Sequence, residues 1–288
     1  MTMQTLTEPR TMQAWADAEH AAGRRIALVP TMGALHAGHL ALVDEARKHA
    51  DRVVVSVFVN PIQFDRRDDF EKYPRTLADD SAMCTAAGVD AIYAPAAAAM
   101  YPEGFQSGVD VAGLTEPLCG AARPGHFRGV TTVVTKLFHA VRPDVAVFGE
   151  KDFQQLAVIR RMIADLDFGI RIVGVPTVRE ADGLALSSRN RRLGAEDRAA
   201  AVCVPHALDA AADAVAGGET RAPVVVDRAV RVIAGEPRAR LEYAELRDPE
   251  TLVEVQEVAA PALLALAVWV GGVRLIDNRI LTPRGTDR

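Results

Sequence analysis

Short apolar runs alternate with longer stretches of helical periodicity up to about residue 176 of the chain. Runs rich in Val and Ile, without regular polar alternation, indicate strands that are buried on both faces. The stretches between them have the length of crossover helices, so the pattern predicts a parallel, doubly wound α/β sheet of Rossmann-like type. The predicted strands cover residues 25–30, 52–60, 91–95, 145–150 and 170–176, and the predicted helices cover 39–51, 77–90, 129–143 and 153–167.

The pattern changes in the last third of the chain. An Ala-rich helical region (196–216) and a second helical stretch (223–234) precede a set of predicted strands at 240–248, 252–255 and 264–278. Helices followed by strands, with no further alternation, predict a smaller α+β domain. We therefore expect one domain over residues 1–177 and a second over residues 178–288.

Composition narrows the class of protein. The 288 residues carry a net charge of -5, so there is no excess of basic charge with which to bind nucleic acid. The three cysteines, Cys84, Cys119 and Cys203, are widely separated, which favours neither a disulfide framework nor a zinc site and fits a reducing cytoplasm.

Neither end of the chain predicts a membrane segment. The N-terminal residues lack the apolar core of a signal peptide. The longest apolar stretch, residues 258–276, is interrupted by Pro261, Gly271 and Gly272, which favours a buried strand over a membrane span. We expect no membrane partner.

The segment "PTMGALHAGHL", residues 30–40, follows the apolar run "IALV". In a parallel sheet, ligands bind beyond the carboxyl ends of the strands. The N-terminus of the next helix offers N–H groups that suit phosphate, and His36 and His39 are spaced to share one face of its first turn. A pair of capping histidines with no further role is the alternative, and a two-histidine metal site would lack a third ligand at a recognisable spacing.

Further polar clusters follow other predicted strands. Asn60 and Gln63 offer neutral amides for a small substrate, or form an ordinary Asn-Pro turn. Asp79 and Asp80 could hold Mg²⁺ beside a triphosphate, or form a solvated helix start. Lys151 follows the run "VAVF" and is a natural partner for phosphate oxygens.

A third cluster lies at the predicted domain junction. Ser187, Ser188 and Arg189 combine two hydroxyls with a guanidinium in a loop that also contains Gly183, which suits a mobile phosphate cradle. The chain contains neither a Gly-x-x-x-x-Gly-Lys-Ser/Thr loop nor a Gly-x-Gly-x-x-Gly sequence. A P-loop or a standard dinucleotide site is therefore disfavoured.

Taken together and in order, these strings resemble the pantothenate synthetase (pantoate-β-alanine ligase) family of the nucleotidyltransferase superfamily, which carries a His-x-Gly-His signature. The resemblance extends from Ile26 to Asn278. It is carried by the strings "PTMGALHAGHLALV", "VSVFVNPIQF", "YPRTLADD", "MYPEGF", "RPGHFRGVTTVVTKLF", "FGEKDFQQL", "DGLALSSRN" and "RLIDN". The first two dozen residues match weakly and receive no role.

The resemblance implies a two-step reaction. The carboxylate of pantoate attacks the α-phosphate of ATP to give pantoyl adenylate and pyrophosphate, and the amine of β-alanine then displaces AMP to form pantothenate. It further implies a Rossmann-like catalytic domain over 1–177, a C-terminal α+β lid over 178–288, Mg²⁺ as cofactor, and a cytoplasmic homodimer.

The resemblance also assigns roles to individual residues. His39 is the proton donor of the family, and His36 and Lys151 act with it on the phosphates. The residues implied to bind ATP are Met32, Gly33, Ala34, Leu35, His36, Ala37, Gly38, His39, Gly149, Glu150, Lys151, Asp152, Val178, Leu186, Ser187, Ser188 and Arg189. The residues implied to bind pantoate or β-alanine are Asn60, Gln63, Tyr73, Arg123 and Gln155, and those implied for Mg²⁺ are Asp79 and Asp80, with Asp80 preferred.

Two other functions remain open at this point. A cytidylyl- or adenylyltransferase acting on a phosphorylated acceptor would need extra basic residues where Asn60, Gln63 and Gln155 stand. A nucleotide sensor without catalysis could retain the same fold. The loop "ALSSRN" also departs from the lysine-rich loop of better-known superfamily members, which leaves Arg189 and Lys151 to supply the positive charge.

Overall fold

A six-stranded, all-parallel sheet forms the centre of the first structural unit in the computed structural model, which describes residues 3–284. Its spatial strand order is β1-β4-β3-β2-β5-β6. The order reverses between β2 and β5, and ligands of doubly wound folds bind at this kind of switch point. The strands are β1 (Gln4–Leu6), β2 (Ile26–Thr31), β3 (Arg52–Val57), β4 (Ala91–Tyr93), β5 (Val145–Gly149) and β6 (Arg171–Val175).

The α-helices that connect or extend these strands are α1 (Pro9–Ala21), α2 (Ala37–Arg47), α3 (Arg67–Glu71), α4 (Leu77–Ala86), α5 (Ala97–Met100), α6 (Cys119–Ala122), α7 (His126–Val141) and α8 (Phe153–Asp165). The first four residues of β2 are fully buried, as expected of a strand covered on both faces. Helix α7 buries one apolar side, from Phe127 to Val141. This rigid core fixes where each strand ends.

The second unit contains an antiparallel sheet with strand order β7-β8-β9, together with helices. Its elements are α9 (Ala195–Ala200), α10 (Cys203–Ala216), α11 (Ala222–Ala234), β7 (Ala239–Arg247), β8 (Ala262–Val270) and β9 (Val273–Leu281). Eight of the nine residues of β8 are buried. Apolar residues of α10 and α11 join the same hydrophobic cluster as this sheet.

By their contacts, the residues divide into two compact units that are interleaved in sequence. The first runs to Glu150 and resumes over Val158–Pro176, and the second comprises Lys151–Ala157 and the chain from Thr177 onward. The predicted fold class, a Rossmann-like parallel sheet with a smaller α+β part, is confirmed.

Two local predictions differ from the structure. The segment 252–255 is not a strand, since it pairs with β7 only through a bridge between Arg247 and Glu254. The apolar segment 264–278 is not one strand but the hairpin of β8 and β9, because Gly271 and Gly272 both adopt positive φ, at 54° and 75°. Two such residues form the tight turn that suits the twist of paired strands.

One helical segment among the described residues, Ala195–Ala216, is long and apolar enough to cross a membrane by length and composition alone. Half of its most apolar window is buried inside the protein, and α10 contributes seven buried residues. A core helix has the same properties, so this segment is weak evidence for a membrane span.

Candidate active site

The turn after β2 begins with Thr31, the last residue of that strand. The hydroxyl of Thr31 donates to the carbonyl of Ser56 (2.7 Å) on the neighbouring strand and accepts from the backbone N–H of Gly33 (3.1 Å). Gly33 and Ala34 then adopt positive φ, at 83° and 51°. Ala34 is strained there because left-handed backbone is unfavourable for residues other than glycine. Partners outside the turn must hold it in place.

Asp80, from the first turn of α4, is that partner. Its Oδ1 accepts from the N–H of Leu35 (2.8 Å), and its Oδ2 accepts from the N–H of Ala34 (3.1 Å) and from the hydroxyl of Thr76 (3.2 Å). The residue is 1% exposed, and a Cβ at Gly33 would lie 3.0 Å from its Oδ2. Asp80 therefore clamps the strained turn, and Gly33 is required for the close approach.

His36 and His39 cap the first turn of α2 for each other. His36 is the extended N-cap residue, and its Nδ1 accepts from the N–H of Gly38 (3.2 Å). The Nδ1 of His39 accepts from the backbone N–H of His36 (3.2 Å). The two ring centroids lie 4.0 Å apart, so the imidazoles are held side by side at the helix N-terminus.

This capping fixes the tautomer of both histidines. A ring nitrogen that accepts a hydrogen bond carries no proton, so the proton of each neutral imidazole resides on Nε2. Both rings therefore donate from Nε2. Protonating Nδ1 on either ring would break the cap that positions it.

Asn60 and Gln63 lie beyond the end of β3, which pairs directly with β2. Asn60 is 1% exposed, and its Nδ2 donates to the carbonyl of Gly129 (3.0 Å) and to Oε1 of Gln63 (2.8 Å). The Nε2 of Gln63 donates to the sulfur of Met32 (3.4 Å), which is part of the turn after β2. The structure thus brings the amide pair and the histidine turn together at one edge of the sheet.

Arg123 and His126 brace the segment that carries Gln63. The Nη2 of Arg123 and the Nδ1 of His126 both donate to the backbone carbonyl of Gln63, at 3.2 and 2.8 Å. Arg123 also pairs with Asp65 (2.7 Å). Burial alone would raise the pKa of Asp65, but the hydrogen bond and charge of Arg123 lower it overall. Arg123 therefore supports the segment that carries Gln63 from its backbone side.

Tyr73 is buried beneath the same segment. It is 6% exposed, and its ring packs edge-to-face against Phe64 at 5.7 Å between centroids. Its position supports the residues after Gln63 through aromatic packing.

The predicted Mg²⁺ pair does not fit this geometry. Asp80 is buried with both oxygens bonded within the protein, whereas Asp79 is exposed on the same helical turn. Neighbouring helix positions point about 100° apart, so the two carboxylates do not converge on one cation. Within residues 3–284, no group of three or more His, Cys, Asp or Glu side chains could hold a metal ion.

Lys151 and Gln155 belong to the second unit, where Lys151 lies in a short 3₁₀ turn over Glu150–Asp152. The Nδ2 of Asn278, on β9, donates to the backbone carbonyl of Lys151 (2.9 Å). The Nζ of Lys151 lies 3.7 Å from Oδ2 of Asp152. Gln155 is half-buried at the start of α8. The sheet of the second unit thus fixes the backbone that carries the lysine.

Val178 and Leu186 face each other across a tight hairpin. The N–H of Leu186 donates to the carbonyl of Val178 (2.9 Å), and the hairpin reverses at Gly183, where φ is 87°. Ser187 follows as the cap of a 3₁₀ turn that begins with Ser188, accepting from the N–H of Arg189 (3.3 Å). The residues predicted to bind ATP between Val178 and Arg189 therefore lie on one hairpin and the 3₁₀ turn that follows it.

An ion pair with a buried carboxylate anchors this hairpin. Arg179 donates to both carboxylate oxygens of Asp277, at 2.6 and 2.9 Å, and Asp277 is 2% exposed. The hydrogen bond to Asp277 raises the pKa of Arg179. A bidentate pair of this kind fixes orientation as well as distance.

The sequence prediction assigned no role to several residues that position the site. The string "MYPEGF" contains Tyr101, whose hydroxyl donates to Oδ1 of Asn60 (2.7 Å). The string "RLIDN" contains Asp277 and Asn278, which hold Arg179 and the Lys151 backbone. Their presence in these strings was the only available signal, since each acts on a residue far away in sequence.

A family model and individual relatives of known sequence both match most of the chain, and both name the same family. The sequence model of the family "Pantoate-beta-alanine ligase" matches residues 4–280. The chain is similar to pantothenate synthetases of Geobacter sulfurreducens, at 53% identity over 270 residues (94% of this chain and 95% of the relative), and of Rhizobium meliloti, at 54% over 269 residues (93% and 92%).

Two solved structures extend this similarity to the fold. The pantothenate synthetase of Thermus thermophilus superposes with a TM-score of 0.93 at 45% identity, covering 98% of this chain and 100% of that one. The pantoate-β-alanine ligase of Francisella tularensis, solved with β,γ ATP and β-alanine, gives a TM-score of 0.81 at 30% identity, covering 96% and 97%.

Proposed function

The chain belongs to the pantoate-β-alanine ligase family, and from this membership we propose how its own residues carry out the ATP-dependent ligation. The reaction joins pantoate to β-alanine by an amide bond. In the proposed first step, the pantoate carboxylate attacks the α-phosphate of ATP and pyrophosphate leaves. In the second, the β-alanine amine attacks the acyl carbon of pantoyl adenylate and AMP leaves.

The observation that carries the proposed chemistry is the fixed histidine pair. Both Nδ1 atoms accept backbone N–H groups, so both rings offer Nε2–H donors at the N-terminus of α2. Negative charge builds up on the phosphate oxygens as the carboxylate attacks. Donors that are already oriented, together with the helix dipole, stabilise that charge without reorganising. We assign His39 and His36 to this role.

The ATP site includes the whole turn that carries the histidines. The backbone from Met32 to His39 gives the nucleotide a close approach, because Gly33 and Gly38 have no side chains. We assign the remaining contacts to ATP on the basis of family motifs, and they are Gly149, Glu150, Lys151, Asp152, Val178, Leu186, Ser187, Ser188 and Arg189. Lys151 and Arg189 supply positive charge for the departing pyrophosphate.

Pantoate is assigned to the amides beside the histidine turn. Gln63 is the principal contact and also meets β-alanine, with Gln155 as a second amide. Three further residues, Asn60, Tyr73 and Arg123, act mainly by holding Gln63 in place. Their contacts with Gln63 or with its segment support this role. Neutral amides suit the hydroxyl and carboxylate groups of a hydroxy acid.

We propose that Mg²⁺ enters with ATP, bound chiefly by phosphate oxygens and water, as this cation prefers. We do not assign Asp80 to this role, because both of its oxygens already accept hydrogen bonds within the protein. Asp79 is exposed and is the one carboxylate of the predicted pair that we retain. No step of the reaction depends on this assignment.

Three further proposals follow from the family. The enzyme is a cytoplasmic homodimer that binds no nucleic acid and no membrane, and sedimentation equilibrium tests the dimer directly. We propose a catalytic part over residues 1–177 and a smaller C-terminal part over residues 178–288. Limited proteolysis of the full chain, which should cut first near residue 177, tests that division.

A product assay tests the proposed reaction. With ATP, pantoate, β-alanine and Mg²⁺, the enzyme is expected to release one AMP for each pantothenate formed. Formation of ADP would contradict an adenylate intermediate. Nucleotide binding without any turnover would favour the sensor, and transfer of a nucleotide to a phosphorylated acceptor would favour the transferase.

A further inference from the structure

Tyr101 lies directly after α5, and its hydroxyl touches the amide pair of the site. The hydroxyl donates to Oδ1 of Asn60 across 2.7 Å. The ring is held by Phe105, edge-to-face at 5.1 Å, and by Phe58 at 6.1 Å, both between centroids. The Nζ of Lys136 lies 6.0 Å from the centre of the Tyr101 ring. The phenol is therefore fixed in position as well as in direction.

The Tyr101 hydroxyl and the Gly129 carbonyl hold opposite ends of the Asn60 amide. With Oδ1 bonded to the phenol, Nδ2 points to the carbonyl of Gly129 (3.0 Å), which can only accept, and to Gln63 (2.8 Å). Burial raises the pKa of Tyr101, so the phenol stays protonated and remains a donor. Without this donor, Oδ1 of Asn60 would be a buried acceptor lacking its partner, and the amide would lose one of its two fixed ends.

The orientation of Asn60 in turn determines that of Gln63. Because Nδ2 of Asn60 donates, the atom of Gln63 that faces it must be Oε1. The Nε2 of Gln63 then points away from Asn60, where its neighbour is the sulfur of Met32 at 3.4 Å. A thioether is a weak acceptor. A substrate oxygen can therefore replace it at little cost.

We propose that Tyr101 is a positioning residue: by bonding Oδ1 of Asn60 it keeps the Asn60 amide in the place from which that amide directs the N–H end of Gln63 toward the substrate. The hydrogen bonds that run from Tyr101 through Asn60 to Gln63, called the relay from here on, present an N–H donor. The relay therefore selects a substrate that offers an oxygen acceptor, such as a carboxylate or hydroxyl oxygen. This proposal rests on the proposed binding of pantoate by Gln63. Tyr101 itself does not touch the substrate.

The test is the kinetics of Tyr101→Phe in pantoate-dependent exchange of pyrophosphate into ATP. We expect the KM for pantoate to rise about threefold to tenfold, the range that one net hydrogen bond supports. The KM for ATP should change by no more than about twofold, because the relay ends at Asn60 and Gln63, which we assign to pantoate and not to ATP. Tyr93→Phe is the control, because Tyr93 is a buried tyrosine of the same unit whose hydroxyl lies 3.7 Å from the sulfur of Met100 and outside the relay.

A double-mutant cycle separates the relay from a general loss of structure. In a Gln63→Ala background, Tyr101→Phe should cause no further rise in the KM for pantoate, because the relay has lost its last member. The same result is expected in an Asn60→Ala background, which removes the middle member and provides a second test if Gln63→Ala folds poorly. Additive effects in the cycle, or equal rises in both KM values, would overturn the proposal.

Failure of the proposed function would give a different result. In that case the unmodified enzyme would show no pantoate-dependent exchange. If the unmodified enzyme does show exchange and Tyr101→Phe leaves the KM for pantoate unchanged, only the relay is wrong.

Discussion

The Nδ1 atom of His39 accepts a hydrogen bond from the backbone N–H of His36 across 3.2 Å, while Nδ1 of His36 accepts from Gly38. The two rings thereby serve as helix caps and as oriented donors at once. Capping, the structural alternative for this pair, is here the means by which the proposed catalytic geometry is fixed. A capping role and a functional role therefore do not compete at this position.

Replacing His39 by Ala should lower the rate of adenylation by about 10²- to 10³-fold, as for the loss of one oriented donor to a charged transition state. ATP affinity should change far less, because the turn and its backbone contacts remain. Stopped-flow measurement of pyrophosphate release, with calorimetric titration of ATP, checks both. His49→Ala is the control, since His49 lies just beyond α2 and pairs with Glu45 (2.9 Å). Equal loss of ATP binding and rate would contradict the assignment.

Asp80→Asn should destabilise the protein by about 1–3 kcal/mol, because an amide cannot accept at both oxygens and one buried N–H of the turn loses its partner. Urea denaturation measures this change. Asp79→Asn, at the exposed neighbour, should leave the unfolding midpoint unchanged. If Asp80→Asn instead preserved stability and only raised the Mg²⁺ concentration needed for half-maximal rate, Asp80 would be a metal ligand after all.

Gly129→Ala should disturb the segment that carries Gln63. A Cβ at this position would lie 2.5 Å from the carbonyl oxygen of Ile62 and 2.7 Å from Cα of Gln63. Overpacking of this kind costs about 1–3 kcal/mol, and the displaced Gln63 should raise the KM for pantoate.

The matched control is Gly235→Ala, where an added Cβ meets nothing closer than 3.5 Å. Thermal unfolding and exchange kinetics on both variants give the comparison. Similar behaviour of the two would show that α7 does not need glycine for its close approach.

Glu242 should make the second unit sensitive to acid. Burial alone would raise the pKa of Glu242, but hydrogen bonds from Arg274 (2.8 Å) and Trp269 (2.8 Å) lower it below its ordinary value of 4.5. A lowered pKa stabilises the folded state above the unfolded pKa, and that contribution is lost as pH falls through the folded value. The contribution of Glu242 to the free energy of unfolding should therefore stay constant from neutral pH to about 4.5 and decline below that pH.

Tryptophan fluorescence, to which Trp15 and Trp269 both contribute, measures this decline when it is followed during urea unfolding at several pH values. In Glu242→Gln, the loss of stability that protonation of Glu242 causes should disappear. An unchanged pH profile in that variant would assign the effect to other carboxylates.

Much of the fold could be predicted because its signal is local. Continuous Val and Ile runs such as 52–57 form buried parallel strands wherever they occur. The three-residue strand β1 and the single bridge at Glu254 carry no such signal, since both depend on a distant partner for their pairing. Sequence periodicity alone does not identify elements of this kind.

The sequence offers the residue types of the candidate site, but it does not show which partners those residues contact. An Asp-Asp pair has the same sequence whether its carboxylates face a cation or the backbone of a distant turn. The carboxylate of Asp80 accepts from an N–H group of a turn 45 residues away. Likewise, no local pattern around Tyr101 indicates that its hydroxyl meets Asn60. These relations depend on tertiary packing.

The most direct test of the account is exchange of labelled pyrophosphate into ATP with Mg²⁺ and pantoate present and β-alanine absent. The account predicts exchange that requires pantoate and that falls about 10²- to 10³-fold in His39→Ala. Folded enzyme that shows no exchange until β-alanine is added would contradict a separate adenylation step, and with it the role assigned to the histidine pair.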